Sequence, residues 1–338
     1  MGTLNVKFPT YSDLAEMPES KNVKDIINLL AAYNPVLMDA PVFEANNGND
    51  HKTTVLTGLP SVIWGRLYKG TPSTKGSRQT VKDTMGYMKS ASEVDCDLVD
   101  VAEKAEEKAS IRLAEAEGHL EAMAQEAATS IFYADIASEP DKFMGLSPRY
   151  SDLSAENGKQ IIDGAGVGND NTSIWIVTWD KQAVHLLRPK GGALGIVRKD
   201  AGDSYYAEDE NGNKYRAYRE DFKWTMGLTV RNWQYVARVA NIDTSALTID
   251  ASAGANVINL MTEAYYQHKG RRLQKGKTII YANTLIVKYL DYQARHNTNT
   301  NLHLTFQESG PNAKEVLHFR GLPIHETDAI LNSEEAVS

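Results

Sequence analysis

The 338-residue chain holds a single cysteine, Cys96, which excludes an intrachain disulfide framework and a cysteine-ligated zinc site. The lone thiol is read as a buried, unreactive side chain. No stretch approaches the roughly 20 apolar residues of a membrane span. The polar, proline-bearing start around Lys7 has no apolar run of signal-peptide length. The expectation is a soluble protein made in the cytoplasm, with no membrane partner. Positive charge is also short: 36 Lys and Arg against 44 Asp and Glu leave a net −8. General nucleic-acid binding needs a basic face and is disfavoured.

Motifs for catalysis or ligand binding are as scarce. Gly164-Ala-Gly-Val-Gly168 has the glycine content of a nucleotide loop, but such a loop follows a strand and opens a helix. Here the glycines precede a strand, so a flexible surface loop is the better reading. Asp209, Asn211, Asn213, Tyr215 and Glu220 have calcium-loop spacing, yet Lys214 stands where that loop needs glycine. The eight histidines, His185, His268, His303, His318 and His325 among them, show no metal-ligand spacing. There is no Walker-type loop and no Gly-x-Ser-x-Gly elbow. No cofactor, no metal and no enzymatic activity are expected.

What the chain does have is a sharp charge contrast. Residues 51–89 carry Lys52, Arg66, Lys69, Lys75, Arg78, Lys82 and Lys89 against Asp83 alone, a net +6. Residues 93–126 carry eleven acids, including Glu103, Glu106, Glu107 and Glu115, against Lys104, Lys108 and Arg112, a net −8. A molecule bearing both surfaces can attract its own copies head to tail. Trp64 and Tyr68 interleave with Arg66 and Lys69, and aromatics beside arginine on a projecting element are typical of contact surfaces. The predicted inter-subunit residues are therefore Trp64, Arg66, Tyr68, Lys69, Lys75 and Arg78 on one side. Glu103, Glu106, Glu107 and Glu115 form the other.

Patterning predicts an α+β chain. A polar arm precedes a short helix over 23–33. A long hairpin over 51–89 carries the Gly/Pro/Ser/Thr-rich tip Gly70–Ser77. Leu98, Val101, Ala105, Ala109, Leu113, Ala116, Leu120, Met123, Ala127 and Ile131 recur at three and four, one stripe of a helix of about 34 residues. Gly118 interrupts it. Residues 173–187 read as a hairpin turning at Asp180, and Asn211-Gly212 as a second turn. Phe222, Trp224, Met226, Leu228 and Val230 alternate as one strand face, with a bulge expected near Asn232. A helix over 253–268, a strand over 278–282, a helix capped by Asn283 and strands near 302–306 and 316–320 complete the reading.

Several segments together resemble one family. Thr57-Gly-Leu-Pro-Ser-Val-Ile-Trp64, Ser92-Glu-Val-Asp95, Lys142-Phe-Met-Gly-Leu-Ser-Pro-Arg-Tyr150, Asn171-Thr-Ser-Ile-Trp175, Arg231 to Asp243 and Phe319-Arg-Gly-Leu-Pro-Ile324 look like tailed-bacteriophage (podovirus-like) major capsid proteins. The resemblance covers most of the chain from about residue 20. It implies the Hong Kong 97-like capsid fold, with an N-terminal arm (1–50) and an extended loop (51–92). A peripheral domain with a spine helix (93–150 with 276–338) and an axial domain (151–275) follow. The extended loop would lie on a neighbour's peripheral domain. The implied function is a shell of hexamers and pentamers around double-stranded DNA, of T=7 geometry by family likeness. A separate scaffolding protein and a portal protein are the implied partners, with assembly in the bacterial cytoplasm. Two alternatives stand beside it. One is an encapsulin-like nanocompartment. The other is a carbohydrate-binding tail or decoration protein stacking sugars on Trp175, Trp179, Trp224 and Trp233.

Overall fold

A computed structural model describes residues 35–338 except 49, 101–104, 201, 203–204, 209–211, 213, 251–253, 273–275, 297–301 and 308–313. The predicted helix over 23–33 and most of the arm lie outside these residues, as do Asp209, Asn211 and Asn213. In chain order the elements open with α1 (Pro35–Asp39), β1 (Val42–Glu44), β2 (Asp50–Gly58) and β3 (Ser77–Asp95). Next come α2 (Cys96–Asp100), α3 (Ala105–Tyr133), β4 (Ile161–Asp163), β5 (Asn171–Trp179) and β6 (Val184–Arg188). Then follow β7 (Ile196–Asp200), β8 (Tyr205–Glu208), β9 (Lys214–Val230), β10 (Val236–Asp243) and α4 (Val257–Gln267). The chain ends with β11 (Lys277–Ala282), α5 (Thr284–His296), β12 (Leu302–Gln307), β13 (Lys314–Phe319) and β14 (Leu322–Glu326).

Hydrogen bonding joins the strands in the order β12-β13-β14-β11-β5-β6-β9-β3-β2, with β1, β4, β7, β8 and β10 attached along the path. All nine residues of β5 are buried. Its period-2 alternation sends Trp175, Val177 and Trp179 to one face of the sheet and Ile174 and Ile176 to the other. On the first face they meet α3 through Leu120, Met123, Ala127, Ile131 and Phe132. On the second they meet α4 and α5 through Val257, Met261, Ala264, Ile286 and Leu290. The alternating β9 residues Phe222, Trp224, Met226 and Leu228 also face α3. Residues 276–338 thus reach the sheet centre, because β11 pairs antiparallel with β5 from Lys277↔Trp179 to Tyr281↔Trp175.

The long helix α3 runs 29 described residues, about 43 Å at 1.5 Å per residue. Its stripe is buried where predicted at Ala116, Leu120, Met123, Ala127 and Ile131. Helical hydrogen bonding passes through Gly118 unbroken. A Cβ there would meet nothing within 4 Å. Gly118 therefore serves no close packing, and Gly118→Ala should stabilise the subunit by about 0.5–1 kcal/mol through reduced chain entropy in the unfolded state. A denaturation midpoint that falls on this substitution would show a need for glycine.

Three local expectations are corrected. The hairpin over 173–187 does not form, since β5 and β6 share only the pair Trp179↔Val184. As a strand inside the sheet, β5 spends its edges on the long-range partners β10 and β11. β6 turns away at Asp180 to pair with β9. The phase slip near Asn232 is a strand end rather than a bulge. A 3-10 turn over Trp233–Tyr235 separates β9 from β10, and the Asn232 side chain caps it by accepting from the Gln234 N–H. Finally, Gly164 and Gly166 belong to no flexible loop: their N–H groups donate to the carbonyls of Ala240 and Asn241. A Cβ at Gly164 would lie 2.5 Å from the Asn241 carbonyl oxygen, so close backbone approach is what requires glycine.

Candidate inter-subunit surface

The hairpin of β2 and β3 forms the end of the strand order, and its register runs from Asp50↔Thr84 to Gly58↔Ser77. The strands separate earlier than the predicted tip. Pro60 follows Gly58 by two residues and has no N–H to extend the ladder. Residues 59–76 form the projecting loop as a result, and almost all of it is exposed. Trp64 is 99% exposed and Val62 92%; Leu59, Leu67 and Tyr68 are exposed as well. Tyr68 takes a left-handed backbone, φ 63°. These large apolar side chains are left in solvent by the subunit's own fold.

The structure brings the six predicted loop residues onto one projecting element. Among the described residues, Arg66, Lys69, Lys75 and Arg78 have no carboxylate within ion-pair reach. Asp83, the one acid of the basic stretch, points inward and is 4% exposed. It accepts from Arg149 at 2.8 Å and from the Thr229 hydroxyl. Arg149 also donates to the carbonyls of Met144 and Leu228, each at 3.2 Å. The base of the hairpin is thereby fixed to the body by a buried ion pair, and Lys82 pairs with Asp50 at 2.9 Å, while Arg66, Lys69, Lys75 and Arg78 make no ion pair among the described residues.

On the acidic side, the backbones of Glu106, Glu107 and Glu115 lie in α3. Their side chains, and all of Glu103, lie outside the described residues. Other acids of that stretch are paired within the subunit: Glu93 with Arg219, Asp100 with Lys108 and Glu126 with Lys142. Arg112 ties α3 to the sheet through Asp200 at 2.7 Å and buried Glu220 at 2.6 Å. The candidate calcium ligand Glu220 is thus occupied by arginines, Arg198 being the second.

Sequence reasoning missed two buried polar centres. Arg238, 2% exposed, donates to Glu334 at 2.7 Å, to the Tyr150 carbonyl at 2.7 Å and to the Ser173 hydroxyl at 3.0 Å, with the Trp175 ring 4.9 Å away. Glu334 also accepts from the hydroxyls of Tyr133 and Ser173. Burial and the Glu334 charge push the Tyr133 hydroxyl well up, so it remains a donor. At the second centre Asp39 accepts from Lys277 at 2.6 Å and Tyr281 at 3.0 Å and pairs with His325 at 2.6 Å, which fastens α1 to β11 and β14. Burial opposes the Asp39 charge, but His325 and Lys277 together hold its carboxyl below the usual range. Partners this far apart leave no signal in the sequence.

Two buried histidines should make the fold acid-sensitive. Burial, with His51 beside it, takes His185 down to about 3, and burial takes His268 down to about 4. Both values lie below the unfolded histidine value of about 6.5. Their contribution to stability is complete above that pH and is lost as pH falls toward 4, by up to about 1.4 kcal/mol per pH unit for each group. Melting temperatures measured from pH 7 to 4 should fall, and the fall should be shallower in His185→Leu. Parallel curves for the two proteins would contradict this assignment.

The tryptophans offered as sugar platforms are core: Trp175, Trp179 and Trp224 are at most 2% exposed, and Trp233 packs partly buried against them. Among the described residues no group of three or more potential ligands could hold a metal, and no helix is long and apolar enough to cross a membrane. A model of the family described as major capsid protein GP7 matches residues 18–338. The chain belongs to this family. As a major capsid protein it is a structural component of the phage virion that assembles with itself into a shell. A chain of the cryo-electron-microscopy structure of bacteriophage Epsilon15 is 36% identical, with a TM-score of 0.67 and 88% of each chain covered. The capsid of bacteriophage JBD30 matches at 10% identity and a TM-score of 0.51, covering 93% of this chain and 96% of that one. These likenesses identify the α+β architecture as the Hong Kong 97-like capsid fold. The encapsulin of Synechococcus elongatus PCC 7942 matches at 9% identity and a TM-score of 0.40, covering 60% of this chain and 85% of that one, too distant to bear on function. Among curated proteins no match is found.

Proposed function

We propose that this major capsid protein forms hexamers and pentamers that close into an icosahedral shell, T=7 by family likeness, around double-stranded DNA. Neighbours are held by the loop over 59–76 lying on the acidic long helix of the next subunit. The observation that carries this reading is the loop itself: large apolar side chains fully in solvent beside four cations without intrachain partners. Residues 1–50 act as an arm and 51–92 as the extended loop. Residues 93–150 with 276–338 make the peripheral domain, built on α3, and residues 151–275 the axial domain. A separate scaffolding protein guides assembly in the bacterial cytoplasm, and a portal protein occupies one vertex. The role is structural rather than enzymatic.

Exposed ion pairs contribute about 0–1 kcal/mol each, so repetition over the shell, not any single pair, supplies stability. Assembly followed by light scattering should weaken as salt screens the contact. Lys69→Glu/Lys75→Glu/Arg78→Glu should raise the protein concentration needed for shells about tenfold or more. Assembly indifferent to both salt and charge reversal would sink the loop-on-helix contact.

A further inference from the structure

A second basic surface lies away from the loop, at the end of the sheet where the 3-10 turns Glu156–Gln160 and Gly270–Arg272 meet the C-terminal end of α4. Lys159, Lys269, Arg271 and Arg272 line a cleft of about 310 Å³ there, and Glu156 is the one acid on its wall among the described residues. Arg320 stands beside it on the turn between β13 and β14. The guanidinium carbons of Arg271 and Arg320 both lie 5.5 Å from the Tyr265 ring and 5.2 Å from the Tyr266 ring. Arg320 also donates to the Tyr266 hydroxyl at 2.9 Å. The tyrosines thus hold two like charges near one another. Among the described residues none of the five cations has a carboxylate within ion-pair reach. The Arg271 Nε is buried and unpartnered, and so are acceptors on Gln160 and His268 in the same cleft.

We infer that this cleft is the subunit's contact for the phosphodiester backbone of the enclosed DNA. This rests on the proposal that the shell holds DNA. The chain as a whole carries a net −8 and repels a polyanion, so attraction must be confined to a patch where cations are left uncompensated. Arginine forks match phosphate oxygens, and a guanidinium already positioned against an aromatic ring loses little freedom on binding. The cations stand on three turns around a concavity rather than in one row. That arrangement suits an inserted tetrahedral phosphate better than the flat face of a neighbouring acidic helix. The unpartnered acceptors on Gln160 and His268 suit the water shell of such a group.

The test uses the full chain as unassembled subunits and a duplex of random sequence about 20 base pairs long, followed by fluorescence anisotropy between about 50 and 200 mM salt. Lys269→Gln/Arg271→Gln/Arg272→Gln should weaken binding at least tenfold at the lower salt. Its plot of log affinity against log salt should flatten by about 0.9 per cation removed. The loop variant Lys69→Gln/Lys75→Gln/Arg78→Gln should bind nearly as the parent does. Equal binding by parent and cleft variant, no binding by the parent, or loss confined to the loop variant would overturn the inference. Electron microscopy separates it from the shell proposal. A cleft variant that binds DNA normally but forms no shells would assign the cleft to carboxylates of another copy. A parent that binds through the cleft yet never forms shells would remove the shell proposal and leave the phosphate site standing.

Discussion

Glu334→Ala should cost the subunit about 3–5 kcal/mol, the usual result of stranding one member of a buried ion pair. Single domains are stable by only about 5–15 kcal/mol, so the loss is a large share of the total. The cause is Arg238, which is buried on β10 against Trp175 and cannot shed its charge. Glu334 comes from the chain's final segment and also receives the hydroxyls of Tyr133 on α3 and Ser173 on β5. One carboxylate therefore joins the long helix, two strands and the C-terminal residues. The same segment is held by reciprocal bonds between Asn241 and Val337. Chemical denaturation of unassembled subunits measures the effect. Arg238→Met/Glu334→Leu should lose less than Glu334→Ala alone, because removing both charges leaves none unpaired. A loss below about 1 kcal/mol for Glu334→Ala would mean that water reaches Arg238 and solvates it.

Replacing residues 60–75 with a Gly/Ser linker should do the opposite, leaving the fold intact and abolishing assembly. Inside the subunit the loop makes few contacts, such as the Thr74 hydroxyl on the Ser61 carbonyl and the Lys69 N–H on the Arg66 carbonyl. The hairpin base stays fixed by Asp83 and Arg149. The denaturation midpoint should stay within about 0.5 kcal/mol of the parent, as for surface changes elsewhere. Sedimentation should show subunits or small oligomers at concentrations where the parent forms shells. Shells at the parent's threshold would remove the loop from assembly.

Much of the architecture was legible because it rests on periodicity. The three-and-four stripe from Ala116 to Ile131 and the alternation from Phe222 to Leu228 both state which face meets the core, and both faces are buried as written. The projecting loop was legible for the complementary reason: apolar and basic residues interleave without either period. Pairing of strands was not. β5 is buried on both faces and takes partners from residues 236–243 and 277–282, and neighbouring segments give no hint of such distant choices. The same limit hid Arg238 with Glu334 and Asp39 with His325. Arg238, Glu334 and Asp39 each read alone as a surface charge, and only the fold buries them.

Electron microscopy of the purified protein, expressed with and without a phage scaffolding protein, tests most directly the proposal that subunits assemble through the projecting loop. Closed shells some tens of nanometres across are expected, with hexamers and pentamers resolved and residues 59–76 lying over the neighbouring long helix. A uniform small oligomer under both conditions, or closed shells in which that loop touches no other subunit, would contradict it.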